Sequence, residues 1–567
     1  MLITLVSWSY IFIMICMTGL ILSANIERLF HYSVRRLHAI LMLGIVGVTV
    51  YAETFSIFYK VGKLAFFVLI ALCLGGCIFA RKTIRKTVSV WMDSIKKQNR
   101  MVLFCSLGIG AGFVLLGSYL AAMTPTGFDE YNYHIPSIRW IEEYGVVKGL
   151  GNLHSRFGYN SSFLCLQALF SFSWLLQMSM HSMNGFIWTW MILSGIFGLW
   201  WYEKRQFGLS DALAILFILM LLRFGEMQRI AGPNTDFFPF CITAYIFIQW
   251  SKLIEQKNKD TVPYGLLSML GLFGATTKLS AGILFLFAIK PILQCVRERR
   301  YAIIGKMAVF GIIIFTPFVI RNAIITGYLL YPVAAIDLLD VDWKLPKSAI
   351  VSENTIIRLY ARSNGSNYKY EYWTRSFIEW FKIWIQSVGD GYNILGITDL
   401  ALAVFVCVKT VYDKIIHKIV TNHISVALMA AAGVIYLFAT APSIRFGRWW
   451  FFALPVILLY SLFKGKELSD NQVSIWPIKR VVSVSGVVML LSVSFFIAFF
   501  GKYPDGKEKA FRRLVLPSDY TMTGTDGQYR VISGVRFYYY TPNQAGRNNL
   551  NGYDGFPGTE VVTIHSI

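Results

Sequence analysis

The chain has 567 residues, 56% of them apolar and 15% charged, where soluble domains carry roughly 25% charged residues. That balance excludes a string of soluble domains and assigns the length to many membrane spans. The net charge of +22 does not point to nucleic acid. The basic residues collect in short loops between apolar runs, the positive-inside pattern that also attracts anionic lipid headgroups.

A span needs about 20 apolar residues. Spans are expected near 1–24, 38–58, 63–80, 102–123, 184–202, 209–225, 237–254, 262–277, 279–295, 303–320, 394–412, 424–441, 447–463 and 478–500, about fourteen in all. The first run lacks a basic n-region and reads as a retained span that starts outside. Arg28, Arg35 and Arg36, then Arg81 to Arg100, mark cytoplasmic loops, as do the later Lys/Arg groups. The loops 124–183, 226–236, 321–393 and 442–446 and the tail 501–567 then fall outside. Residues 160–180 are apolar, yet both ends should lie outside, so a re-entrant or broken helix is expected there. All eight cysteines lie in apolar stretches without metal spacing and read as small buried hydrophobes.

Residues 134–144 read as an interfacial helix, with Ile135, Ile138, Trp140 and Ile141 toward lipid and Arg139, Glu142 and Glu143 toward water. A second amphipathic helix is expected from Trp373 to Ile385, after the turn Asn364-Gly365-Ser366-Asn367. The tail contains a strand-like run, Tyr529 to Tyr540, and reads as a small β-containing cap. The resulting layout is an all-α polytopic bundle. Residues 1–100 hold the N-terminal spans and 101–320 a transmembrane core with its first large outside loop at 124–160. The segment 321–393 is an outside loop, 394–500 the last spans and 501–567 the outside tail.

The polar chemistry concentrates in that first outside loop. Asp129 and Glu130 emerge from the end of a span, and Tyr131, Asn132, Tyr133 and His134 follow at once. His154 and Arg156 come soon after, in a Gly-rich stretch. A surface carboxylate can act as general base on an acceptor hydroxyl or hold a divalent cation such as Mg or Mn. The plainer alternative is a helix N-cap. His134 and His154 lack a third obvious metal ligand and read as hydrogen-bonding or substrate-contact groups, and no metal site is assigned. Walker, zincin and nucleophile-elbow motifs are absent, so ATP hydrolysis and covalent acyl chemistry have no support.

Phe128-Asp129-Glu130, at this place in the topology, resembles the Asp-Glu motif of the GT-C superfamily of integral-membrane glycosyltransferases. The similarity is to the protein O-mannosyltransferase and aminoarabinose-transferase branches. The block from Tyr133-His134-Ile135-Pro136 through Gly149-Leu150-Gly151-Asn152-Leu153-His154-Ser155-Arg156 to Asn160-Ser161-Ser162 also resembles bacterial membrane proteins associated with surface-polysaccharide genes. The close resemblance covers about 40 residues. Three spans precede the motif where the superfamily usually has one, so the first three read as an N-terminal addition.

The resemblance implies a polyprenyl-phosphate sugar donor and a hydroxyl acceptor on a lipid-linked glycan or a protein. It makes Asp129 the base and Glu130 an orienting group, in a bacterial inner membrane with the site facing outside. A phosphate leaving group needs cations, and the candidates are Arg156, Lys278, Arg321, Arg445 and Arg448. Lys278 interrupts two apolar segments. Asp236 begins a span at the outer face, as an acid does in GT-C enzymes, or else simply favours the helix dipole. Arg445 and Arg448 lie outside against the charge rule, beside two Trp residues that could equally anchor headgroups. Rival readings are a polymerase or ligase moving an oligosaccharide from a polyprenyl-diphosphate carrier, a lipid-linked-glycan flippase, and an assembly subunit. A transporter would place ionisable residues near the midplane on related halves, and no halves are visible.

Overall fold

Apolar runs of bilayer length become helices because a chain in hydrocarbon must satisfy its own backbone groups. A computed structural model describes residues 1–465, apart from 124, 126–128, 177–178, 201–206, 224–229, 364–375, 390 and 413–422, together with 530–532 and 535–537. Among the described residues, eight helices are long and apolar enough to cross a membrane: Leu2–Phe30, Leu37–Phe58, Lys63–Lys96, Arg100–Ala121, Phe237–Glu255, Leu279–Arg297, Tyr301–Thr326 and Tyr392–Tyr412. Shorter apolar helices include Met183–Leu199, Leu209–Leu222 and Ile424–Thr440. The protein is a helical, membrane-embedded bundle. Large apolar side chains such as Phe79 (91% exposed) and Ile312 (63%) point away from the protein, as lipid-facing residues do.

The first helices pack as a unit. α1 (Leu2–Phe30) crosses α2 (Leu37–Phe58) at two glycines. A Cβ on Gly19 would lie 1.9 Å from the Ile40 carbonyl oxygen, and one on Gly44 equally close to that of Ile15. Small residues let the two backbones approach, which is how helices associate where lipid is as apolar as the side chains. α3 (Lys63–Lys96) does not stop at residue 80 but carries its helix through the basic segment. Polar contacts hold this extension: the Trp91 indole donates to the Arg35 carbonyl at 2.5 Å, and Thr83 donates to Glu27 at 3.1 Å. α4 (Arg100–Ala121) then leads to the polar loop.

Two expectations for the next region change, and the broken helix expected after residue 160 is present. α5 (Ile135–Tyr144) forms, but Ile135, Ile138, Trp140 and Ile141 are buried in protein rather than facing lipid. Glu142 is buried too, because its carboxylate accepts from Ser179 at 2.8 Å and pairs with Arg139 at 3.3 Å. The apolar stretch after residue 160 is a broken helix, α6 (Ser162–Leu169) and α7 (Ser173–Leu176), with a positive φ at Phe172 between them. The end of α2 braces this region. Val61 N–H donates to the Ile141 carbonyl, and Val146 N–H to that of Ser56 at 2.8 Å. Gly145 has φ +78, and a Cβ there would lie 2.6 Å from the Ser56 oxygen, so the turn admits glycine alone.

The remaining helices are α8 (Met183–Trp200), α9 (Leu209–Leu222), α10 (Phe237–Glu255) and α11 (Thr261–Thr277). After Lys278 the chain turns back as a 3₁₀ segment, Leu279–Ala288, that packs along α11 and runs into α12 (Ile289–Arg297). α13 (Tyr301–Thr326) continues past the expected end at 320, so residue 321 lies inside a helix rather than opening a loop. The following segment holds two helices instead of one, α14 (Lys347–Arg362) and α15 (Phe377–Ser387). α16 (Tyr392–Tyr412), α17 (Ile424–Thr440) and α18 (Ile444–Gly465) complete the bundle, with a break in α18 at Gly447. Two three-residue strands, β1 (Arg530–Ile532) and β2 (Val535–Phe537), pair antiparallel within the strand-like run. The expected span 478–500, the rest of the tail and the turn at 364–367 lie outside the described residues.

Candidate active site

Four charged residues distant in sequence, Asp129, Asp236, Lys278 and Arg445, meet at one end of the bundle because each sits where a helix begins or breaks, and Arg156 joins them from the 3₁₀ turn Ser155–Gly158. Asp129 precedes a π-turn, Glu130–His134, that passes into α5; such turns are frequent at functional sites. Asp236 stands at the start of α10. Its N–H is fixed by the Asn234 side chain at 2.9 Å, and Asn184 of α8 braces the same turn through the carbonyls of Gly232 and Asn234. Lys278 occupies the extended link between α11 and the 3₁₀ segment. Arg445 lies in the first turn of α18, ahead of its break.

These groups form one ion-pair network. Asp236 is 3% exposed; one carboxylate oxygen accepts from Lys278 and the other from Arg445 Nε. Arg445 also reaches Asp129, with Nη2 at 2.5 Å from Oδ2, and Arg156 lies 3.8 Å from Oδ1. Arg445 thus bridges both acids. Burial alone would push the Asp129 carboxyl up, but the guanidinium of Arg445, then His134 and Arg156, outweigh it and hold it below the usual range. Asp236 is held far lower, with Arg445 and Lys278 overcoming burial. Charges so deeply placed persist only when paired and hydrogen-bonded.

The neutral residues extend the site. His134 Nε2 lies 3.1 Å from the Thr235 hydroxyl. Burial lowers its pKa to about 4, with the nearby Arg445 and Lys278 reinforcing the effect and Asp129 opposing it. It is therefore neutral near pH 7. Arg156 stacks over the Tyr133 ring at 5.4 Å, and Lys278 lies 4.4 Å from the Phe446 ring centre. A cavity of about 970 Å³ opens over this network, lined by Asp129, Glu130, Tyr133, Arg156, Lys278 and Arg445 among others. Among the described residues, no group of three or more His, Cys, Asp or Glu is arranged to hold a metal ion.

Three expected site residues lie elsewhere. Arg321 is buried in α13, where it donates to Asn160 Oδ1 at 2.9 Å and to the Ser56 hydroxyl, with the Glu53 carboxylate near enough to feel its charge. It ties α2 and α13 to the loop behind the cavity instead of facing an anion. His154 caps its own loop: Nδ1 accepts from the Arg156 N–H at 3.0 Å, which aims Arg156. Its pKa is lowered to about 4 by burial and by Arg156. Arg448 lies beyond the α18 break and does not line the cavity.

Residues not anticipated from sequence complete the wall. Glu353 of α14 accepts hydrogen bonds from Tyr159 and, at 2.9 Å, from Ser155. Tyr331, Thr235 and Tyr436 also line the cavity. The sequence signal for Glu353 is the amphipathic pattern of 347–362, which lies between Pro346 and the polar run Asn364-Gly365-Ser366-Asn367.

A family model described as a domain of unknown function, DUF8201, matches residues 1–452, and the chain belongs to that family. The match begins at residue 1, so the first three helices are part of the family's unit. No curated protein and no solved structure matches the chain.

Proposed function

We propose that this family member is a GT-C-like glycosyltransferase of the bacterial inner membrane. In this reading it has about fourteen spans, and its ion-pair network faces the outside. It moves a sugar from a polyprenyl-phosphate donor to a hydroxyl of an envelope acceptor. The observation that carries the reading is the juxtaposition of Asp129 and Asp236 with Arg445, Lys278 and Arg156 at the floor of one large cavity. That arrangement sets a carboxylate for a hydroxyl beside cations for a phosphate.

The reaction follows from those roles. The acceptor O–H gives its proton to Asp129, and its oxygen forms a bond to the anomeric carbon. The bond from that carbon to the phosphate oxygen breaks, and polyprenyl phosphate leaves with the electron pair, inverting the centre. Arg445 and Lys278 neutralise the leaving phosphate. Arg445 also depresses Asp129 before the donor arrives. Drawing Arg445 toward the phosphate would free the carboxylate and raise its basicity when a base is needed. Asp236 keeps Lys278 and Arg445 charged and aimed, and Glu130 orients the acceptor.

An apolar groove of about 470 Å³ between α11, α12 and α13 suits the isoprenoid chain. It runs from Cys295 to Val319 and Ile320, next to Phe318, which lines the cavity. Rescue of surface glycan in a strain lacking the gene tests the reading, with membrane levels checked by blot. Asp129→Asn should be present at normal levels and fail to restore glycan. Full rescue by both Asp129→Asn and Glu130→Gln would remove the base and favour a transport or assembly role.

A further inference from the structure

The cavity has a second wall, built from different chemistry. The rings of Tyr133 and Tyr159 lie 5.8 Å apart, and those of Tyr159 and Tyr331 are also 5.8 Å apart. The first two are half-buried, and Tyr331 backs them from within. Glu353 sits beside these rings. Tyr159 donates to one of its carboxylate oxygens and Ser155 to the other.

Hydroxyls thus hold this carboxylate directly; among the described residues Glu353 has no ion-pair partner within 4.0 Å, although Arg156 stands close enough to feel its charge. An ionised carboxylate offers about four lone-pair sites, so two remain for further donors. Arg156 separates this wall from the ion-pair floor, with its guanidinium between Asp129 and the Tyr133 ring.

A ring surface beside a carboxylate already taking hydroxyl donors suits a polyhydroxylated ligand. Its C–H faces can pack on Tyr133 and Tyr159 while its hydroxyls donate to Glu353. A peptide bound by strand addition would instead need a free strand edge. This wall is formed by α14, the 3₁₀ turn Ser155–Gly158 and aromatic side chains, and offers no strand edge. We propose that Tyr133, Tyr159 and Glu353 form the acceptor subsite and that the acceptor is a carbohydrate rather than a protein side chain. The proposal rests on the glycosyltransferase reading and places the acceptor on the far side of Arg156 from the donor phosphate.

The test uses the full-length protein in nanodiscs. Polyprenyl-phosphate lipids extracted from a strain lacking the gene serve as donor. Envelope extract from the same strain serves as acceptor, either protease-digested or oxidised with periodate, which cleaves sugar diols. Acceptance should survive protease and be lost with periodate. Tyr159→Ala and Glu353→Gln should each raise the acceptor concentration for half-maximal rate about tenfold and leave the maximal rate within about threefold, as loss of ground-state binding does. Asp129→Asn should lose the maximal rate instead. Protease-sensitive, periodate-resistant acceptance would overturn the proposal, as would unchanged half-saturation in both subsite variants. In either case the Asp129→Asn result leaves the glycosyltransferase reading standing on its own. Absence of transfer by the unmodified protein would sink both.

Discussion

Arg445→Met removes the one cation that, among the described residues, pairs with both Asp129 and Asp236, and keeps a long unbranched side chain. Among the described residues, Asp236, whose side chain is 3% exposed, would retain only Lys278 as an ion-pair partner, and Asp129 only Arg156 at 3.8 Å. Stripping one partner from a buried ion pair costs about 3–5 kcal/mol. Each acid keeps one cation, so the loss should fall at the lower end, about 3 kcal/mol. With its largest opposing charge gone, the Asp129 carboxyl should rise from its depressed range, because burial is then opposed only by His134 and Arg156 among the groups that hold it down. Unfolding by SDS titration in mixed micelles measures this, together with Asp236→Asn and the double variant. The double variant should be more stable than the sum of the singles implies, with coupling of about 1–3 kcal/mol. Arg445→Met within about 0.5 kcal/mol of the parent protein, or additive with Asp236→Asn, would refute the bridging role.

Two further outcomes follow from the surroundings of the site. Arg321→Met should destabilise by about 1–3 kcal/mol, since it leaves the buried Asn160 Oδ1 and Ser56 hydroxyl without their donor, a loss read in the same titration. Stability should also fall with pH below the ordinary histidine value. His134 and His154 are held to about 4 by burial and nearby cations, while the unfolded chain titrates them near about 6.5. Between those values the unfolded state binds more protons, so stability rises with pH and falls as pH drops from 6.5 toward 4. The apparent melting temperature should trace that fall, and a variant carrying His134→Gln and His154→Asn should reduce its slope, leaving the part carried by His181, which burial lowers to about 3.

Much of the fold is written in the length and apolarity of the runs, since a bilayer imposes both. Helix ends were less legible. The helix runs past the expected boundary at 320 because the arginine at 321 is buried by its partners Asn160 and Ser56, which the local sequence does not reveal. Glu142 misled in the same way, since Ser179, 37 positions later, buries it. Asp129, Asp236, Lys278 and Arg445 were visible as polar residues interrupting apolar segments, although nothing in the chain says that one arginine joins two acids. Glu353 and Tyr159 carried no such mark. Their meeting depends on packing between segments 194 residues apart.

The most direct measurement is mass spectrometry of lipids extracted from a strain lacking the gene, after incubation with the purified full-length protein and the envelope acceptor fraction. The account predicts that polyprenyl-phosphate sugar is consumed and polyprenyl phosphate accumulates with the unmodified protein, and that neither change occurs with Asp129→Asn. Equal consumption by both proteins, or none by the unmodified one, would contradict it.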